Sequence, residues 1–447
     1  MKKVLNLAAI AALALTAASC EELFNTIEEN LPLPVAVQLT CEGQPFTVEG
    51  ITVTVTDAEG TFTLEQTTSA EGIAAFELKK GNYSASASYT TSENGVRLSY
   101  TGANSAFTVG LTDLEEPVKL DLKKVESQQI IIKEFYNAGC TSGSKGYTND
   151  AYVILYNNSD IEADATNVVF GFLAPYNGHA SNKYLSEAGA LIYENDSWVP
   201  AASAIWWFTS PVKIAPYSQI VVAIFGAIDH TETYPESVNL SDASYYWMSN
   251  NGVDQYTNSK YAASDNIPAG NYLTCHPFSL GNSWVLSNSS PAFFIGNMAA
   301  AEIEVLSKDT ENYDHTQGTG DANNVVKFPQ ANVIGALEVW SSANIEKSTL
   351  RFPASLNNGY VSLTNKQGHT IYRNVDKEAT EALAENEGKL VYDYAGGTLD
   401  AATATGSTDP SGIDAEASIA KGAHIIYKQT NSSANDFHER AVSSLKK

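Results

Sequence analysis

Residues 130–156 limit the possible folds more than any other stretch. Ile130, Ile131 and Ile132 are consecutive and β-branched, and Phe135 and Tyr136 follow closely. A short apolar run without polar alternation fits a strand buried on both faces. Gly139, Gly143 and Gly146, set among small polar residues, give the next segment the chemistry of a loop. Tyr152 to Tyr156 makes a second strand of the same kind, and Asn157-Asn158-Ser159-Asp160 ends it. Two neighbouring strands that both need covering imply a layered β fold.

The rest of the chain continues in strands. Val168–Leu173, Ala204–Phe208, Ser290–Ile295, Ala301–Val305, Val333–Val339, Thr370–Arg373 and Ala423–Lys428 read as strands, and Val212–Phe225 as a proline turn leading into one. Asp376–Asn386 is rich in Ala and Glu, with Gly388 beyond it, and predicts a short capped helix. Residues 229–275 are polar and longer than a plain connector, which marks a functional insertion. Residues 396–421, rich in Gly, Ala, Thr, Ser and Asp, read as a mobile loop. Upstream, Val35, Val37 and Leu39 open a smaller alternating region. It runs through Ile51–Val55, a turn at Asp57–Gly60, Gly72–Leu78, Gly81 and Tyr83, and closes at Pro117–Leu122. The expected fold is all-β: a small β-sandwich over 35–124, then an enlarged sandwich over 127–447 with insertions near 229–275 and 376–421.

Residues 1–19 are an export signal by pattern. Lys2 and Lys3 precede the apolar run Val4–Ala17, and Ala18-Ser19-Cys20 supplies small residues before a cysteine. Cleavage there leaves Cys20 as a lipid-bearing first residue, an anchor rather than a span. Residues 20–34 carry Glu21, Glu22, Glu28 and Glu29 and form an acidic tether.

The chain has 26 basic against 51 acidic residues and a net charge of −25. Its four arginines, Arg97, Arg351, Arg373 and Arg440, are scattered, so a nucleic-acid partner is not expected. Three cysteines remain after Cys20. Cys140 and Cys275 both fall in loops of the larger region and are the candidate disulfide, with three free thiols as the alternative.

No zinc-protease, serine-hydrolase, phosphate-loop or Cys-x-x-Cys motif occurs, so no catalytic residue is assigned. The seven histidines, from His179 to His438, are scattered and read as single surface residues. No metal site or cofactor is expected, because the acidic stretches 309–321 and 409–416 lack calcium-loop spacing and suit turns. Trp206, Trp207 and Phe208 alternate faces in a strand and read as core. Tyr245, Tyr246 and Trp247 lie in the polar insertion and are the candidate ligand-binding residues. They could equally anchor the loop on itself.

Several stretches resemble known modules. The order Val53, Val55, Asp57, Gly60, then Gly72, Phe76, Leu78, then Gly81 and Tyr83 resembles the carboxypeptidase-regulatory-like (transthyretin-like) β-sandwich, which implies a spacer or docking unit. Ile130, Ile132, Glu134, Gly139, Asp150, Tyr152, Leu155, Tyr156 and Asn157 resemble the opening of lamin-tail-like domains, which are immunoglobulin-like sandwiches. "Asn-Ala-Gly-Cys", "Ser-Ser-Pro-Ala-Phe-Phe-Ile" and the "Asn-Ser-Ser-Ala-Asn-Asp-Phe" stretch look like an uncharacterised family of Bacteroidetes lipoproteins. That resemblance implies display on the outer membrane and an accessory role beside a TonB-dependent receptor. The acidic tether resembles the signal for the outer cell surface. The expected function is non-catalytic binding of a ligand or partner in nutrient or metal-complex uptake, with a structural or adhesive surface protein as the alternative.

Overall fold

The computed structural model describes residues 31–93, 96–110, 116–250, 253–284, 286–392 and 409–446. The signal segment, Cys20, most of the tether and the first part of the loop expected at 396–421 lie outside these residues. No described helix is long and apolar enough to cross a membrane. The chain divides into two compact units, meeting at Ser127 and Gln128.

The first unit holds β1 (Leu33–Cys41), β2 (Gln44–Pro45), β3 (Thr52–Asp57), β4 (Thr63–Thr67), β5 (Ile73–Leu78), β6 (Gly81–Glu93), β7 (Val96–Val109) and β8 (Val118–Ser127). They form one sheet in the order β2-β1-β8-β7-β6-β3-β4, with β5 also on β1. Every second residue of β1, β3 and β5 is buried, including Val35, Val37, Val53, Val55, Ala74 and Phe76, so the sheet wraps one apolar core. Asp57 fixes the β3–β4 turn, accepting from the backbone N–H of Thr61 at 2.7 Å and of Phe62 at 2.9 Å.

The strands of the second unit follow in chain order. They are β9 (Ile130–Tyr136), β10 (Cys140–Ser142), β11 (Lys145–Tyr147), β12 (Tyr152–Asn157), β13 (Ala163–Asp164), β14 (Val168–Phe172), β15 (Trp198–Ala202), β16 (Ala204–Trp207), β17 (Lys213–Ile214), β18 (Gln219–Ala223) and β19 (Tyr246–Trp247). Beyond the insertion come β20 (Thr274–Pro277), β21 (Ala292–Asn297), β22 (Tyr313–Asp314), β23 (Val325–Pro329), β24 (Val333–Ser341), β25 (Val361–Leu363), β26 (Thr370–Arg373) and β27 (Phe437–Arg440). Two six-stranded sheets result, β19-β18-β12-β9-β26-β27 and β20-β16-β14-β21-β24-β25. They share one core, in which Phe135 of the first meets Phe293 of the second at 4.8 Å between ring centres. The fold is therefore all-β and sandwich-like.

All of β9 and β12 is buried, which includes the charged Lys133 and Glu134. Lys133 stands at a bulge in the β9–β12 register. Its ammonium lies 2.7 Å from Glu416 and 2.6 Å from the Gln219 side-chain oxygen. The rings of Tyr156, Tyr372 and Tyr427 surround it at 5.5–5.9 Å. The Glu416 carboxyl is held below its usual range by Lys133, against the cost of burial. Glu416 belongs to a helix, so this pair pins that helix to the sheet. In the second sheet Arg351 and Glu338, both fully buried, pair at 2.6 Å, and Arg351 also donates to the carbonyls of Pro175 and Ser290.

Three expectations change. Ala301–Val305 is not a strand but the middle of α1 (Ala300–Lys308), where Ala, Glu, Leu and Lys favour helix and Ile303 alone is driven inward. Ala423–Lys428 contributes only a bridge, Tyr427 to Val375, and the final strand is β27. Residues 409–421 are folded rather than mobile. Asp409 accepts from the N–H of Val375 at 2.8 Å, and Asp414 caps α3 (Ala415–Ala420), which follows α2 (Lys377–Glu381).

Candidate functional site

The polar insertion folds into a cleft. After β18 the chain makes a short helical turn at His230–Glu232, capped by Asp229, whose Oδ1 accepts from the Thr231 N–H at 3.0 Å. Asn239 returns to the same carboxylate, donating to Oδ2 at 2.8 Å, and closes the loop. Asn239 then accepts from the Ser241 N–H, and Asp242 from the Ser244 N–H. These short-range bonds satisfy a segment with few apolar residues of its own.

The chain re-enters the sheet at β19, parallel to β18, with Val222 opposite Tyr246 and Ala223 opposite Trp247. A second pass brings Asp265 and Asn266 alongside, held by Asn271 donating to the Tyr245 carbonyl at 3.0 Å. Together these passes and Leu445-Lys446 enclose a cleft of about 1000 Å³. Asp229, Asn239, Asp242, Tyr245, Asp265 and Asn266 give it a polar wall. Lys446 lies 3.4 Å from Glu236.

The three aromatic candidates part company here. Tyr245 lines the cleft and is half-buried. Tyr246 packs on Phe208, with ring centres 5.2 Å apart. Trp247 is 2% exposed and donates its indole N–H to the Phe225 carbonyl at 2.6 Å, so it is core. Alternation along a strand separates them, since neighbouring residues point to opposite faces. Trp206, Trp207 and Phe208 are all buried.

A buried carboxylate stands behind the cleft wall. Asp150 is fully buried and accepts from Ser237 at 2.5 Å and from the Tyr136 hydroxyl at 3.2 Å, both at Oδ2. Its Oδ1 has no partner among the described residues. Burial pushes the Asp150 carboxyl up to about 6, against the hydrogen bonds from Ser237 and Tyr136. Ser237 also lines the cleft, so a single hydroxyl joins the open site to the buried acid. His230 and Tyr147 lie close by. His230 shares Nδ1 with the Tyr147 hydroxyl at 2.7 Å and Nε2 with the Gly226 carbonyl at 3.0 Å. A carbonyl can only accept, so Nε2 carries the proton and Nδ1 accepts from Tyr147. Burial lowers the His230 pKa and favours this neutral form.

The expected Cys140–Cys275 bridge is not formed, and both are free thiols. Cys140 lies in the β10–β11 hairpin opposite Tyr147, whereas Cys275 lies in β20 of the other sheet opposite Trp206. Burial and the nearby Asp150 push the Cys140 thiol up to about 11. Two histidines depart from the surface reading: His230 and His438 are buried, and burial drives His438 down to about 3. No group of three or more metal-ligating side chains comes together among the described residues. The acidic stretches fold as turns and caps, with Asp309 and Asp414 each accepting from backbone N–H groups.

Asp150, Ser237, Asp265, Asn266 and Lys446 are site residues that sequence patterns did not single out for binding. Asp150 and Ser237 are 87 positions apart, and no local pattern links them.

Residues 215–393 match a family model described as a protein of unknown function (DUF4876). No curated protein matches the sequence. The chain is similar to the crystal structure of a DUF4876 family protein from Bacteroides thetaiotaomicron, at 17% identity and a TM-score of 0.52. That match covers 91% of this chain and 94% of the other. Alignments also reach GBS52, the minor pilin of Streptococcus agalactiae (11% identity, TM-score 0.18, 66% of this chain and 91% of that one). A variant of BcpA, the major pilin subunit of Bacillus cereus, aligns at 13% identity and a TM-score of 0.17, over 60% and 88% of the two chains. Both pilin scores are too low to indicate a common fold. The matched stretch 215–393 contains β18 and the whole insertion that shapes the cleft, and it is the DUF4876 proteins, of unknown function, that the chain resembles there.

Proposed function

We propose that this protein is a non-catalytic binding protein, held at the outer membrane by a lipid on Cys20 and displayed at the cell surface, that captures a ligand in the cleft of residues 229–266. The carrying observation is the cleft itself. It is about 1000 Å³, at the upper end of the usual range for small-molecule sites, and is built by the insertion that interrupts an otherwise regular sheet. The disposition of its reactive groups supports holding rather than turnover. Ser237 gives its proton to a buried carboxylate, and His230 is engaged at both ring nitrogens. The anchor and a TonB-dependent barrel as partner belong to the same reading.

Two measurements test it. Protease shaving of intact cells should remove the protein from wild type but not from cells in which Cys20→Ala blocks lipidation. Antibody raised to residues 33–127 should recover a TonB-dependent barrel in near-equal amount from cross-linked outer membranes. Recovery of the protein alone would remove the uptake role. Binding assays should use Tyr245→Ala alone, because Trp247 is core and its loss would unfold the sheet edge.

A further inference from the structure

Three side chains on the cleft wall have their polar ends unspent. The Tyr245 hydroxyl, the Asp265 carboxylate and the Asn266 amide line the cleft, and none makes a side-chain hydrogen bond among the described residues. Elsewhere in the insertion, polar side chains are consumed locally. Asp229 is filled by Thr231 and Asn239, and Asn239 in turn by Ser241. The unspent set is therefore confined to one side of the opening. It combines a carboxylate that can only accept, an amide that can donate and accept, and an aromatic ring with a hydroxyl.

We infer that the cleft takes a neutral, polyhydroxylated ligand of more than one ring, an oligosaccharide. The inference rests on the binding reading above and gives it a ligand class. A sugar hydroxyl is donor and acceptor at once. Two neighbouring hydroxyls can donate to Asp265 and accept from the amide of Asn266, the next residue along. The Tyr245 ring offers an apolar face for the C–H face of a sugar ring, and its hydroxyl a further polar contact. Charge argues against the other classes. Asp229, Asp242 and Asp265 repel an anionic ligand. A cationic ligand would meet the Lys446 ammonium in the same space, with one tyrosine rather than a cage of aromatic rings to hold it.

The test uses the mature chain and titration calorimetry with cellohexaose, maltohexaose and xylohexaose, with spermidine and oligogalacturonate as charged comparisons. At least one neutral hexasaccharide should bind. Asp265→Ala with Asn266→Ala, and separately Tyr245→Ala, should each weaken it about tenfold or more at an unchanged melting temperature. Binding of spermidine or oligogalacturonate alone would overturn the sugar assignment and leave a ligand-binding cleft. Hexasaccharide binding that ignores both variants would also overturn it, by placing the sugar elsewhere. Silence from all five probes would overturn the binding reading as well.

Discussion

Asp150 is the residue whose chemistry reaches furthest. Burial raises its carboxyl to about 6, so the folded protein holds that proton more tightly than the unfolded chain, where an aspartate titrates near about 3.9. The stability it contributes is full below about pH 4 and is lost as pH rises through about 6. Asp150→Asn removes this dependence. Relative to wild type, the variant should gain about 2–3 kcal/mol between pH 4 and pH 7, read from urea midpoints at the two values. A gap that does not change with pH would show that Asp150 stays ionised in the fold. Residue type alone does not reveal this. Asp150 stands in a polar stretch of sequence, and its burial depends on Tyr136 across the β9–β12 pair and on Ser237 in the insertion. Lys133 and Glu134 are equally unreadable, because the groups that make their burial tolerable come from Glu416, Gln219 and Ser444.

At the scale of elements, the β10–β11 hairpin shows how tightly local chemistry sets structure. Gly139 has φ +69, and a Cβ there would sit 1.9 Å from the Tyr147 carbonyl oxygen. Gly143, at φ +61 in the same hairpin, has open space around it. Gly139→Ala should therefore cost about 2–4 kcal/mol and Gly143→Ala about 1 kcal/mol, since only the first adds a backbone clash to the left-handed strain. Equal costs in chemical denaturation would mean that the hairpin shifts to accommodate both. Strands are the readable part of this fold. Runs such as Ile130–Ile132 and Tyr152–Tyr156 name themselves by residue type, and turns such as Asp57–Gly60 by their side-chain caps. Ala301–Val305 misleads because two apolar residues at alternate positions fit a strand, while the helix-forming neighbours that decide the matter lie outside that window. In the site, the insertion is visible as a polar interruption. Which of Tyr245, Tyr246 and Trp247 faces the cleft is not, because that depends on β19 joining β18.

At the scale of the molecule, the two units have separate cores, and each is continuous in sequence. A fragment of residues 128–447 should therefore melt cooperatively by itself and keep whatever ligand the full chain binds. A fragment that remains unfolded in circular dichroism would show that the first unit is needed. Within the larger unit, Glu134 of β9 accepts from Tyr152 at 2.6 Å, from the Ser444 N–H at 3.1 Å and from the Ser444 hydroxyl. Its donors thus include a residue 310 positions downstream. A nascent chain that has emerged only as far as β26 would hold a buried carboxylate short of two of its three donors. The first unit can close as soon as its own residues appear, but the second must wait for Ser444. The larger unit is thereby kept open, and threadable through an export channel, until almost all of it has been synthesised.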